Sequence, residues 1–266
     1  MTRGPHQTPP IRVHRRGLKD NRAYYDEFSH WYERERHHGY HRFLDEMALH
    51  LLAPYLDDRR VLEVGCGTGL ILQRVTERTA HAVGIDLSAG MLGPAKARGL
   101  RVVQAGAGSL PFRDASFDTV YSFKVLAHVQ DIDQALSEMI RVTRPGGHLV
   151  LEFYNRDSLR WLIKRFKPAH AVSEKTTDHE VFTRYDSLSE LERRVGDVPG
   201  GRALLRDIQG IRVVTPWAGV LRWPLFGGLI HSLERRLATS PLARYAGFLV
   251  LVLERQSTSQ STLFSE

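Results

Sequence analysis

The chain has 266 residues, 42% of them apolar, enough for one large domain, or a core domain with a subdomain, around a real core, and nothing in the composition suggests wholesale disorder. A net charge of +7 favours acidic partners such as RNA, anionic lipid or a carboxylated or phosphorylated metabolite, without choosing among them. The single cysteine, Cys66, excludes a disulfide framework and a cysteine-based zinc site within one chain.

Residues 1–20 are rich in Pro, Arg and His and read as a flexible basic arm; they carry no apolar core segment, so no secretory signal is expected. The longest apolar runs, such as GFLVLVL at 247–253, are too short to span a bilayer. A soluble, cytoplasmic protein is the expectation. From Tyr24 to Leu56 apolar residues recur at helical spacing, predicting two helices separated near Gly39. HHGYH (37–41) has histidines at metal-binding spacings, but a surface loop is the reading and no metal site is expected.

An alternation follows. VLEVG (61–65), AVGID (82–86), RVVQA (101–105), FDTVYSF (117–123) and HLVLEF (148–153) read as strands. LILQRVTERT (70–79), MLGPAKARG (91–99) and DQALSEMIRVTR (133–144) read as the helices between them, the last ended by Pro145-Gly146-Gly147. This rhythm predicts a doubly wound α/β domain with a parallel sheet covered on both faces. Beyond Asn155, SLRWLIKRF (158–166) is a basic amphipathic helix and 173–180 a polar stretch. Ser187 and Glu190 have capping-box spacing. LLRDIQGIRVVTP (204–216) is a strand with a turn, and LFGGLIHSLERRL (225–237) a helix with Phe226, Leu229, Ile230, Leu233 and Leu237 on one packing face. YAGFLVLVLE (245–254) is a last strand, and 256–266 a disordered tail.

The glycine loop Gly65-Cys66-Gly67-Thr68-Gly69 between a strand and a helix is a generic nucleotide arrangement, one residue short of G-x-G-x-x-G. Glu63, two places before it, decides between ligands. That carboxylate would repel a pyrophosphate but attract an ammonium group. S-adenosylmethionine fits, with its α-ammonium, its cationic sulfonium and a carboxylate that can meet the helix N-terminus. Asp86, at the end of the next strand, is placed to accept from ribose hydroxyls. A salt-bridged strand end for Glu63 and a helix cap for Asp86 are the bland alternatives.

VLEVGCGTG, GIDLSAGML, SLPFRDASFDTVYSF, LAHV and RVTRPGGHLVLEF, spread over about residues 24–155, resemble the ordered motifs of class I S-adenosylmethionine-dependent methyltransferases, most closely the branch with ubiquinone and menaquinone methyltransferases. The resemblance implies a seven-stranded Rossmann-like sheet in a domain over 21–255: N-terminal cap helices at 24–56, a cofactor core at 57–155, and a substrate-side region with the last strands at 156–255. It implies that Glu63 and Gly65–Gly69 face the methionine part, that Asp86 holds the ribose, and that Leu87 and Met91 lie against the adenine. Phe123 joins this set, as do Tyr25 and Tyr32 from YYDEFSHWY, which looks like the segment that folds over the cofactor. The product would be S-adenosylhomocysteine.

Two departures matter. Gly106 stands where relatives usually carry an acid for the adenine amino group, leaving the backbone of Ala107 and Gly108 to meet that edge; losing such a bond costs on the order of 1 kcal/mol. Lys124 ends a strand near the cofactor and is a candidate anchor for an anionic acceptor, or a solvent-facing lysine. His128 resembles the second histidine of the family's leucine-histidine-histidine pattern, with Ala127 in place of the first. It is a candidate base or a packed histidine. Tyr24, Arg184 and Tyr185 are candidate acceptor contacts, with Arg160, Lys164 and Arg165 as further cations. The expected reaction is methyl transfer to the O, N or C of a small molecule that is amphiphilic or anionic. An RNA methyltransferase, suggested by the basic arm, and a non-catalytic cofactor-binding protein, suggested by Gly106, are the competing readings.

Overall fold

The computed structural model describes residues 20–36, 39–158, 160–162, 171–173, 176–177, 182–198, 202–215 and 227–257. Residues 1–19 of the arm, 258–266 of the tail, Lys164, Arg165 and Phe226 lie outside them. Nine strands occur among the described residues: β1 (Val61–Val64), β2 (Ala82–Asp86), β3 (Val102–Gln104), β4 (Phe117–Ser122), β5 (Thr143–Tyr154), β6 (Ala171–Ser173), β7 (Thr176–Thr177), β8 (Ala203–Ile211) and β9 (Phe248–Arg255). The main helices are α1 (Asn21–Arg36), α2 (Gly39–Leu52), α3 (Leu70–Thr76), α4 (Ala89–Ala97), α5 (Ile132–Val142), α6 (Leu188–Gly196) and α7 (Gly227–Leu237). Seven strands form one sheet in the order β3-β2-β1-β4-β5-β9-β8, while β6 and β7 pair apart as a two-stranded antiparallel sheet that the sequence did not signal.

The first five strands are parallel, as the alternation predicts. The last two are antiparallel, so the sheet is mixed. Side-chain alternation along each strand divides the core. Leu62, Val64, Leu149, Leu151 and Phe153 face α5 and α6, whereas Val61, Tyr121, Phe123, Val150 and Val250 face α2 and α3. Ser187 caps α6 with the expected box: its amide donates to Glu190 at 2.8 Å, and Glu190's amide donates back to its hydroxyl at 3.3 Å.

Three expectations are corrected. Pro145-Gly146-Gly147 does not separate helix from strand, because β5 already begins at Thr143 and carries the tripeptide in a register shift against β4. Gly146 has φ +71°, and a Cβ on Gly147 would stand 2.8 Å from the carbonyl oxygens of Arg144 and Asp118, so both glycines are dictated by the backbone. Gly39–His41 start α2 instead of forming a loop, and no metal-binding cluster exists among the described residues. Finally, α7 turns Leu229 and Leu233 outward and buries Glu234.

That inversion has a clear cause. The Glu234 carboxylate, 0% exposed, accepts from the amides of Val213, Val214 and Thr215 and from the Thr215 hydroxyl at 2.7–3.0 Å. It satisfies the chain as it leaves β8, which no apolar residue could do. Glu234→Ala is therefore expected to lower unfolding stability by about 3 kcal/mol, since it strands several buried donors at once. Urea denaturation of the variant beside the parent protein measures this.

Candidate active site

The strand order reverses between β1 and β4, which opens a crevice at the carboxyl ends of the parallel strands. The turn after β1 lies there. Gly65 and Cys66 both donate their amides to the Ile85 carbonyl of β2 at 2.8 Å. This tight exit requires left-handed backbone: Gly65, Gly67 and Gly69 have φ of +80°, +55° and +83°. A Cβ on Gly65 would meet Val125 at 2.2 Å, and one on Gly69 would meet Leu100 at 2.4 Å. At Gly67 the nearest atom would be the Tyr32 hydroxyl at 3.9 Å, so this part of the loop is open.

Two acids flank the loop. Glu63 is 2% exposed and accepts from the Tyr121 hydroxyl of β4 at 2.9 Å. Burial, with the Glu63 charge beside it, holds the Tyr121 phenol protonated. Asp86 accepts from the amides of Gly67 at 2.8 Å and Ser88 at 2.9 Å. Burial raises its pKa, and those amide bonds pull the other way. The Thr68 hydroxyl is buried without a hydrogen-bond partner.

Helix α1 roofs the crevice. The Asp26 carboxylate accepts from the Ser88 hydroxyl at 2.5 Å and the Gly90 amide at 3.0 Å, at the start of α4. Gly90 is needed there, because a Cβ would meet the Ser29 hydroxyl at 2.7 Å. Arg98 of α4 pairs with Glu33 at 2.8 Å and donates to the Thr68 carbonyl at 3.0 Å, tying α1, α4 and the glycine loop together. Tyr32 thereby sits over Gly67. Tyr25 sits further along, its phenol pushed well up by burial and by neighbours that include Tyr154 and Asp86. Tyr24 is buried against Tyr25 and Phe28, with ring centroids 5.1 and 5.9 Å apart.

The other expected contacts divide. Leu87 is 40% exposed and lies beside Gly106, where a Cβ would come within 3.8 Å of it. Ala107 is half-buried against the core, and the Gly108 carbonyl accepts from Gln134 at 3.2 Å. Cys66, Met91 and Phe123 are buried. The Cys66 sulfur packs where a Cβ on Gly84 would stand, 2.7 Å away, and burial pushes its thiol up, so it is a core residue rather than a crevice-facing one.

Beyond β4, His128 ends a 3-10 turn (Leu126–His128) with its Nδ1 2.9 Å from the Phe182 carbonyl. A carbonyl only accepts, so the proton of the neutral ring belongs on Nδ1 and the lone pair on Nε2. Tyr25 and Tyr154 flank the ring edge-on at 6.3 and 5.7 Å, and Asn21 donates to the His128 carbonyl at 2.7 Å. Tyr185 lies 5.5 Å from Tyr154. Arg184 is committed elsewhere: it donates to the carbonyls of Leu126 and Val129 and pairs with Asp186 at 3.1 Å, bracing the turn that carries His128. Lys124 is paired with Asp45 of α2 at 2.6 Å. Arg160 stacks over Phe248 and Tyr154, 4.7 and 5.8 Å from their centroids. Tyr121, Asp26, Asn21, Arg98 and Glu152 were not visible as site residues in the sequence. Each acts through a strand or helix neighbour 28 or more positions away, which no local motif marks.

A family model described as a methyltransferase domain matches residues 62–151. The demethylmenaquinone methyltransferase of Mycolicibacterium paratuberculosis is 33% identical over 180 residues, covering 66% of this chain and 76% of the relative. The chain belongs to the S-adenosylmethionine-dependent methyltransferases. Its donor is therefore S-adenosylmethionine. Other relatives of this methyltransferase align over less. The ubiquinone/menaquinone biosynthesis C-methyltransferase of Bartonella tribocorum is 38% identical over 47% of the chain and 53% of the relative. The demethylmenaquinone methyltransferase of Thermobifida fusca is 41% identical over 34% of the chain and 42% of its own length. Among solved structures, a Thermotoga maritima S-adenosylmethionine-dependent methyltransferase superposes with a TM-score of 0.61 at 22% identity, over 88% of this chain and 98% of that one; this likeness shows the fold.

Bonds from Ser88 and Gly90 hold the Asp26 carboxyl below the ordinary aspartate value of 3.8. Its contribution to docking α1 is present above that value and is lost as pH falls through the lowered pKa. Asp26→Ala should accelerate amide hydrogen exchange across α1 near neutrality while leaving the strand amides protected. The parent protein should show the same acceleration only on acidification.

Proposed function

We propose that Glu63, the loop Gly65–Gly69, Asp86 and Leu87 hold S-adenosylmethionine beneath Tyr25 and Tyr32, and that the methyl acceptor is a small amphiphilic molecule with an acidic or ionisable oxygen. The buried Glu63 carboxylate, oriented by Tyr121 under the open part of a glycine loop, carries this reading. The residues present fit the cofactor. Gly67 leaves a cradle that a Cβ would fill, the Thr68 hydroxyl lacks a partner, and two acids face a ligand with an ammonium and a ribose. Bound there, the cofactor supplies an electrophilic methyl carbon and leaves as the neutral thioether.

The chain's own residues do the rest. Tyr25 and Tyr32 exclude water from above and offer aromatic faces to a cationic sulfur. His128, with its tautomer set by the Phe182 carbonyl, presents Nε2 as the atom that takes a proton from an acceptor that must lose one. Arg184 keeps that histidine in place. For the acceptor, relatives named for menaquinone and ubiquinone biosynthesis support a ring-shaped oxygenated molecule. Support also comes from a wall made of Tyr154, Phe248 and Arg160.

Glu63→Ala should weaken S-adenosylhomocysteine binding at least about tenfold, the value of a lost charge-assisted bond. Unchanged calorimetric affinity would sink the assignment of the cofactor residues. With isotopically labelled donor, label is expected in small hydroxylated aromatics from a host extract; label in RNA or protein instead would overturn the acceptor class. His128→Ala should lower that turnover about a hundredfold.

A further inference from the structure

A second buried acid, Glu152, lies on the same sheet face as Glu63. Parallel register aligns Glu63 with Tyr121, and Tyr121 with Val150. Two residues on, the next row toward the carboxyl edge runs from Gly65 through Phe123 to Glu152. Glu152 is therefore level with the glycine loop and two strands away, about 10 Å at ordinary strand spacing. It is 2% exposed, and its Oε1 has no hydrogen-bond partner. A buried carboxylate oxygen left without a donor is rare and calls for one.

Its surroundings say which donor. The backbone amide of Lys124 lies beside the carboxylate and pulls its pKa down against burial, and Lys124 is held at φ +63° although it is not glycine. Such backbone strain is kept where surrounding structure demands it, and it gathers at working sites. The charged and titratable groups facing Glu152 are Lys124 at the end of β4, Asp45 on α2, Arg160 above β9, and Tyr154 on its own strand. Burial raises the Glu152 carboxyl to about 7, against the pull of Lys124 and Arg160. Arg212, buried and bonded to the Tyr40 hydroxyl at 2.7 Å, adds a third cation to this side. A cationic amine would be repelled by these groups, and a fully ionised acid would be repelled by Glu152. A neutral hydroxyl able to donate, next to cations that stabilise its oxygen, suits both.

We propose that Glu152 is the specificity-determining residue of an acceptor subsite, whose Oε1 accepts a hydrogen bond from a phenolic or enolic hydroxyl of the methyl acceptor. This rests on the proposed function and deepens it. Calorimetry with 2-naphthol and 2-methoxynaphthalene, in which a methyl group replaces the donated proton, tests it on the full chain saturated with S-adenosylhomocysteine. Above neutrality the naphthol should bind about tenfold more tightly than its ether, as for a charge-assisted bond. That preference should shrink as pH falls through neutrality and Glu152 takes up a proton. In Glu152→Gln its pH dependence should vanish while S-adenosylhomocysteine binding persists. Equal affinity for the two naphthalenes in the parent protein overturns the subsite without need of any variant. So does a pH-dependent preference that survives in Glu152→Gln. Failure of S-adenosylhomocysteine to bind the parent protein would instead count against the cofactor reading.

Discussion

One backbone oxygen organises the crevice. The Ile85 carbonyl receives both the Gly65 and the Cys66 amide, so the chain must leave β1 through a turn that only left-handed residues can make. From that turn follow the inward course of Cys66 against Gly84, the open surface at Gly67, and the Gly67 amide that reaches Asp86. The two acids are thus held relative to each other by the main chain. A side chain at 65 or 69 would collide with Val125 or Leu100 and pull the arrangement apart.

Charge is arranged in two zones along the same sheet edge. Around the glycine loop, Glu63 and Asp86 make a negative zone whose field adds to burial in raising the neighbouring Cys66 thiol, as Glu63 adds to it at the Tyr121 phenol. Across β4, Lys124, Arg160 and Arg212 make a mainly positive zone interrupted by Asp45 and Glu152. In the proposed site this division would draw a cationic donor to one side and an oxygenated acceptor to the other.

Elements with strong local signals could be read directly from the sequence. The parallel strands, the glycine loop, the Ser187–Glu190 cap and the acids at 63 and 86 all declare themselves within a few residues. What escaped depends on partners distant in the chain. Glu234 looked like the polar side of an amphipathic helix, yet it is the buried member because three consecutive amides after β8 need an acceptor. Arg184 looked like an anion contact, yet carbonyls of the 126–129 turn claim it. Glu152, inside an apolar strand, gave no sign that its row ends level with the glycine loop.

The roof is attached differently from the floor. Of the α1 side chains described, only Tyr24 is buried, and the helix is held to α4 through Asp26 and the Glu33–Arg98 pair. Among the described residues none of α1 belongs to either apolar cluster, so its docking leans on polar contacts rather than on the sheet core. In the proposed site, cofactor affinity then contains a term for the fraction of molecules with α1 docked. If α1 closes over the cofactor as proposed, donor retention and product release both depend on the polar contacts that hold this helix to α4 and, through Asn21, to the turn of His128.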